Sequence, residues 1–300
     1  MRLSVIHETR YQYASMVGHA HHLACLQPRS DERQRCEAFA LSIDPAHGPA
    51  SVRTDAFGNH QHWFELCVVH DSLRVLAESV VHTTAGEPLA DLALGVGWQS
   101  CQAQLQYSVG QPYCAAAEFA HPSPMAPTDT VFAEFARPSF PPGLSLVEAA
   151  MGLMARLHAH VRYEPGSTQV HTPARDALQQ RRGVCQDLAH IMVACLRSMG
   201  LAARYVSGYM LTDPPPGQPR LLGADASHAW VQVWVPRGEG DVAGNWLELD
   251  PTNNQVVDER YVRAAIGRDY GDAAPLRGVI RGGGDHQAEV SVTVSLIGQA

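Results

Sequence analysis

Three short stretches of this chain carry residue types that together perform nucleophilic chemistry. In Gly183-Val184-Cys185-Gln186-Asp187-Leu188-Ala189-His190 a cysteine follows a glycine break and opens a run of helical period. Its sulfur would sit among unpaired backbone N–H groups at the positive end of a helix dipole, where negative charge is stabilised. In the run Ala226–Val235, strand alternation puts His228, Trp230, Gln232 and Trp234 on one face and Ala229, Val231, Val233 and Val235 on the other. In Trp246–Thr252 the same period puts Trp246, Glu248 and Asp250 on one face, with Asp250 at the strand's end. Each residue alone has a plainer reading: a buried thiol, a packed strand histidine, an Asp-Pro turn. Cys195, on the apolar face of the same helix, fits the first of these, whereas Cys185 precedes the apolar stripe. In order, a cysteine, a histidine 43 residues on and an aspartate 22 further supply a thiolate, a proton carrier and a carboxylate to orient it.

The elements that must position these residues fall into two regimes. Up to about residue 110 the chain reads as short strands: Leu3 to Tyr13 alternates, as do Ala38–Ser42, His62–Val68 and Ser72–Val81, with a turn at Asp55-Ala56-Phe57-Gly58-Asn59. Such spacing predicts an antiparallel β-sandwich over 1–110. Residues 111–144 hold seven of the twenty prolines and read as a connection. From 145 the pattern becomes helical. Ser145 and Glu148 have capping-box spacing ahead of Leu153, Met154 and Leu157, and Thr172-Pro173 opens a second helix. A third starts near Cys185 and stops at Gly200, and strands follow at Ala203–Met210, Ser227–Val235 and Asn245–Asp250. Helices followed by an antiparallel sheet make 145–300, with its C-terminal alternating strand, an α+β core.

Composition bounds the partners. The 300 residues are 45% hydrophobic and 17% charged, enough apolar material for a core. A net charge of −8 argues against a nucleic-acid surface. No apolar run reaches the length of a membrane span and the N-terminus lacks signal-peptide character, so a cytoplasmic location is expected. All 22 basic residues are arginine, which GC-rich codons account for. Seven scattered cysteines without a C-x-x-C pair speak against a disulfide framework or a zinc knuckle. His19, His21 and His22 invite a metal reading, but no H-E-x-x-H motif, Cys/His pairing or acidic run accompanies them. No metal and no cofactor is expected.

The sequence resembles the bacterial transglutaminase-like cysteine proteins, a branch of the transglutaminase/papain-like superfamily. The matching words are Arg182-Gly183-Val184-Cys185-Gln186-Asp187, Arg204-Tyr205-Val206-Ser207-Gly208-Tyr209, Ser227-His228-Ala229-Trp230 and Leu249-Asp250-Pro251-Thr252-Asn253. Tyr163-Glu164-Pro165-Gly166 and Gly267-Arg268-Asp269-Tyr270 are also similar to family words. Gln27-Pro28-Arg29 and Asp55–Asn59 resemble the β-rich domain that precedes the core in this branch. The resemblance implies a papain-like core with Cys185 as nucleophile, His228 as general base and then acid, and Asp250 orienting His228. The backbone N–H of Cys185 would be one oxyanion donor; Gln186, Trp230, Tyr209 and Tyr163 are open alternatives for a second. Asp187 reads as a helix cap and His190 as a packing or capping residue. Asp213-Pro214-Pro215-Pro216-Gly217 is either a lip over the cleft or a solvated connection. The expected reaction is thioester formation at Cys185 followed by hydrolysis of a peptide or protein amide. The alternatives are transfer to an amine, as in a transglutaminase, and a binding relative without turnover.

Overall fold

In the computed structural model, residues 1–46, 48, 50–86, 95–107, 109–110, 112–212, 227–238 and 240–298 are described. The Asp213–Gly217 stretch therefore lies outside the described residues. The N-terminal strands are β1 (Arg2–Ala24), β2 (Gln34–Asp44), β3 (Ser51–Thr54), β4 (His60–Leu66) and β5 (His70–Thr83). They form one antiparallel sheet in the order β2-β5-β1-β4-β3. The two-layered character expected of this region comes from β1 itself. Residues 2–12 pair with β5, whereas residues 20–24 pair with β4, and the β5 register breaks between Gln12 and Val17. The sheet thereby bends around a core containing Val17, Ala20, Phe64, Leu66, Leu73 and Val75.

Helix α1 (Trp98–Gln104) lies at the end of the stretch read as strands, and α2 (Thr130–Ala136) lies within the proline-rich connection, which thus carries a helix of its own. Helix α3 (Leu146–His160) starts at the expected capping box: Ser145 Oγ accepts from the Glu148 amide at 3.2 Å. Strand β6 (Arg162–Tyr163), helix α4 (Ala174–Gln180) and strand β7 (Arg182–Gly183) lead into α5 (Cys185–Ser198). Helix α5 ends at Gly200, whose φ of +71° suits glycine.

The second sheet contains β8 (Ala203–Met210), β9 (His228–Val235), β10 (Asn245–Asp250), β11 (Gln255–Val256) and β12 (Tyr261–Gly267), in the order β11-β10-β9-β8-β12. Ala229, Val231, Val233 and Val235 of β9 face the helices with Leu188, Ile191 and Met192 of α5. The opposite face of β9 carries Trp230 and Trp234, as the alternation predicts.

A short helix α6 (Tyr270–Ala273) then leads to β13 (Leu276–Gly282) and β14 (His286–Leu296). Sequence order assigns the C-terminal strand to the 145–300 core. Its hydrogen bonds instead run to the first sheet, with β14 along Leu3–Tyr13 and β13 along Val17–Ala24 of β1. A 23-residue strand has two long edges to satisfy, and the chain returns to fill one of them.

The two sheets are joined through β12. Gln34 accepts from the Arg263 amide at 2.8 Å and donates to its carbonyl at 2.7 Å. Asn59 accepts from the Ile266 amide at 2.9 Å and donates to its carbonyl at 2.7 Å. Two side-chain amides thus satisfy backbone groups at the edge of β12 that a further strand would otherwise pair. Asn59 is set by the Asp55 turn, where Asp55 Oδ1 accepts from the amides of Phe57 and Asn59 at 2.9 and 2.8 Å. Arg29 ties this turn down through Phe57 O and Asn59 Oδ1, both at 2.8 Å.

Candidate active site

Cys185 is the first residue of α5, so its amide has no helical partner four residues back and points out of the helix start. The tight entry depends on Gly183, where an added Cβ would lie 2.8 Å from the Asp187 Cβ. Asp187 caps as expected: its Oδ2 accepts from the Val184 amide at 2.8 Å and from Thr168 Oγ1 at 2.6 Å. Burial pushes this carboxyl above its ordinary range despite those two donors.

His228 opens β9 and Asp250 closes β10. Leu249 pairs with Val231, so His228 and Asp250 stand diagonally on one face of the hairpin. His228 Nε2 lies 2.7 Å from Asp250 Oδ2, and the imidazole also hydrogen-bonds the Cys185 thiol. With Nε2 on the carboxylate, Nδ1 is the nitrogen left for sulfur. Burial opposes charge on this ring. The bonds to Asp250 and then Cys185 outweigh it, and the His228 pKa is pushed up to about 10.

Asp250 is fully buried. Besides His228, its Oδ2 accepts from Tyr261 Oη and Asn253 Nδ2, each at 2.7 Å. Its Oδ1 accepts from the amides of Thr252 at 2.9 Å and Asn253 at 3.2 Å. Burial opposes the anion, but these donors hold the carboxyl below its usual range. Sequence reading missed Tyr261, which opens a strand buried along its whole length and shows no alternation to mark it.

Beneath the histidine, Trp230 stacks at 6.1 Å between ring centroids and 27° between planes. Its Nε1 donates to Glu248 Oε2 at 2.7 Å. Glu248 Oε1 in turn meets Arg263 and, at 3.0 Å, Arg33 of the N-terminal region, and Arg263 reaches Asp31 at 2.8 Å. Gly208 of β8 passes below this tryptophan, where a Cβ would lie 2.1 Å from Val262 O and 2.6 Å from the indole.

The structure directs three of the four candidate oxyanion donors elsewhere. Gln186 donates to Val170 O at 2.8 Å, on the loop before α4. Trp230 is fully buried with its N–H committed to Glu248. Tyr209 is buried between the sheets, where its hydroxyl lies 3.0 Å from His7 Nδ1. Strand alternation accounts for this: β8 pairs with β12 along its length, and Tyr209 lies on the face packed against Leu3, Val5 and Val292. Tyr163 alone remains beside the thiol. It is about half-exposed at 48%, and burial followed by the nearby Cys185 sulfur raises its phenol pKa.

His190 packs and caps as expected. It stacks near Tyr205 and its Nε2 accepts from the Tyr270 amide at 3.1 Å. Burial lowers its pKa to about 4, which keeps it the neutral acceptor that bond requires. The Gly267–Tyr270 word is a positioning turn: Asp269 Oδ1 accepts from the Gly271 amide at 2.8 Å and Oδ2 from the Met125 amide at 3.0 Å.

Residues 3–82 match the bacterial transglutaminase-like N-terminal region and residues 135–251 the transglutaminase-like superfamily core. An uncharacterised protein of Mycobacterium tuberculosis is 41% identical over 98% of this chain and 92% of its own length. One of Mycobacterium leprae is 34% identical over 98% of both chains. A protein-glutamine gamma-glutamyltransferase of Pseudomonas aeruginosa is 34% identical over 116 residues, 36% of this chain and 16% of that one. A candidate cysteine protease of Cytophaga hutchinsonii has the same fold, with a TM-score of 0.75 at 19% identity, covering 100% of this chain and 92% of that one. The curled antiparallel N-terminal sheet, the α+β core behind it and the matched residues of both show that the chain belongs to the transglutaminase-like superfamily, with the bacterial transglutaminase-like N-terminal region ahead of the core.

Proposed function

We propose that this protein is a cysteine-dependent acyl-transfer enzyme that hydrolyses peptide or protein amide bonds. The observation that carries the reading is the hydrogen-bonded relay from Cys185 through His228 to the buried Asp250. A histidine whose pKa lies near 10 keeps its proton at neutral pH and faces sulfur as a cation. Sulfur attacks the substrate carbonyl carbon, and the carbonyl oxygen takes the developing charge against the Cys185 amide, with the Tyr163 hydroxyl available beside it. His228 gives its proton to the departing amine as the C–N bond breaks, leaving a thioester on Cys185. Water attacks that thioester and His228 accepts its proton; the C–S bond breaks, the acid product leaves and the thiolate facing a protonated His228 is restored. Asp250 holds the imidazole with Nε2 protonated throughout.

The Pseudomonas glutamyltransferase supports a second reading, in which a primary amine rather than water resolves the thioester. Both share the first half. The test is incubation with glutamine-containing peptides with and without a primary amine, following ammonia, free acid and amine incorporation by mass spectrometry. Free acid without incorporation supports hydrolysis, and incorporation supports transfer. Absence of any acyl-enzyme, with Cys185→Ala indistinguishable from wild type, overturns both.

A further inference from the structure

On the outer face of the N-terminal sheet, away from the relay residues in the chain, two histidines and a carboxylate converge. His19 and His21 lie two apart on β1 and so share a face, and His21 pairs across the ladder with Glu65 of β4. His19 Nε2 lies 2.9 Å from His21 Nε2 and 2.8 Å from Glu65 Oε1, with His21 Nε2 3.8 Å from the same oxygen. Cys67 lies two residues beyond Glu65, its thiol near the Glu65 carboxylate but outside the close cluster of the two imidazoles and that carboxylate. All four side chains are solvent-accessible, with His19 and His21 at 39% and 55%.

We infer that His19, His21 and Glu65 form a binding site for a divalent transition-metal cation of the zinc class, with Cys67 turning in as the fourth donor. Ligands 2.0–2.1 Å from a tetrahedral zinc lie about 3.3 Å apart. The three separations bracket that value, so the donor atoms already outline one triangular face of such a polyhedron. Two imidazoles, a carboxylate and a thiolate are the donor types zinc takes. The last two carry −2, which neutralises the cation. Paired strands hold three donors without loop ordering, so little reorganisation opposes binding. Binding releases the Cys67 thiol proton and whatever protons the imidazoles carry. Arg281 of β13 pairs opposite His19 and is exposed.

This proposal departs from the expectation of no metal. Sequence spacing shows no Cys/His pairing because Glu65 and Cys67 follow His21 by more than forty residues, and only the β1–β4 ladder makes them neighbours.

The test is titration of the reduced full-length chain with Co²⁺ and then Zn²⁺, in a Cys185→Ala background that removes the other accessible thiol facing a histidine. The expected result is one equivalent of Co²⁺ with the intense visible absorption of a tetrahedral site and a sulfur-to-cobalt charge-transfer band, displaced by Zn²⁺. His21→Ala and Glu65→Gln each weaken binding by about tenfold or more, and Cys67→Ser abolishes the charge-transfer band. All three are accessible positions, and an unchanged thermal melt of each metal-free variant shows that the fold is retained. No saturable binding, or binding untouched by His21→Ala and Glu65→Gln, overturns the site. Binding without the charge-transfer band overturns the role of Cys67.

Discussion

Tyr261 donates its hydroxyl proton to Asp250 Oδ2 across 2.7 Å, from a strand whose edge is held by the N-terminal Gln34 and Asn59 side chains. The carboxylate beneath His228 is thus oriented by a residue whose placement depends on the other sheet. A second link runs in parallel, from Arg33 through Glu248 and Trp230 to the stacked imidazole. The N-terminal region therefore acts on the site as a support for its strands.

Replacing Tyr261 with Phe removes one of the five donors that Asp250 receives from His228, Tyr261, Asn253 and two backbone amides. A hydrogen bond to a charged group contributes about 1.5–3 kcal/mol. Turnover of an amide substrate should fall about tenfold, since each 1.4 kcal/mol of transition-state stabilisation is a factor of ten. The alkaline limit set by His228 should shift to lower pH as the carboxylate loosens. A pH–rate profile of Tyr261→Phe that overlays wild type would refute this positioning role.

Alkylation of the cysteines, read peptide by peptide by mass spectrometry, should label Cys185 ahead of the buried Cys25, Cys101 and Cys195. Burial pushes the thiols of Cys25 and Cys101 up to about 11 and that of Cys195 higher still. His228→Ala removes the cation facing sulfur, and labelling of Cys185 at mildly acidic pH should drop by about tenfold or more. Equal rates in wild type and His228→Ala would break the proposed pair.

The pH dependence of stability has a defined sign. His228 is raised from 6.5 to about 10, so the stabilisation it provides is complete below 6.5 and declines as pH rises toward 10. Asp250 is lowered, so its stabilisation is present above its ordinary value of 3.8 and is lost as pH falls through the depressed value. The difference in melting temperature between wild type and His228→Gln should therefore be largest near pH 5–6 and shrink steadily on the alkaline side. A difference that grows between pH 7 and 10 would contradict the assignment.

Glu248 and Arg263 are both buried and face each other, so removing one leaves an uncompensated charge. Glu248→Leu should cost about 3–5 kcal/mol in denaturant unfolding. The double variant Glu248→Leu with Arg263→Leu should cost less than the sum of the two singles, because neither charge is then stranded. Strict additivity would mean that the two side chains do not interact in solution.

The local chemistry and its scaffolding were legible in the linear order of residues. The glycine break before Cys185, the capping box at Ser145, the C-terminal Gly200 and the period-two faces of β9 and β10 are all short-range signals, because helices and strands bury residues at fixed intervals. Hence Cys185, His228 and Asp250 could be named in advance, together with Asp187 as a cap and His190 as a packed residue. What a side chain bonds to across the fold is not periodic. Gln186, Trp230 and Tyr209 have the right chemistry for an oxyanion donor, yet Val170, Glu248 and His7 occupy their polar atoms. Tyr261 reaches Asp250 only because β12 turns back beside β8, and β12 stays there because Gln34 and Asn59 satisfy its edge. Strand order and ladder register decided these contacts, and likewise the return of β13 and β14 to β1 and the meeting of His19, His21 and Glu65. Such pairings depend on long-range hydrogen bonds whose partners lie tens to hundreds of residues apart, and linear spacing carries no record of them.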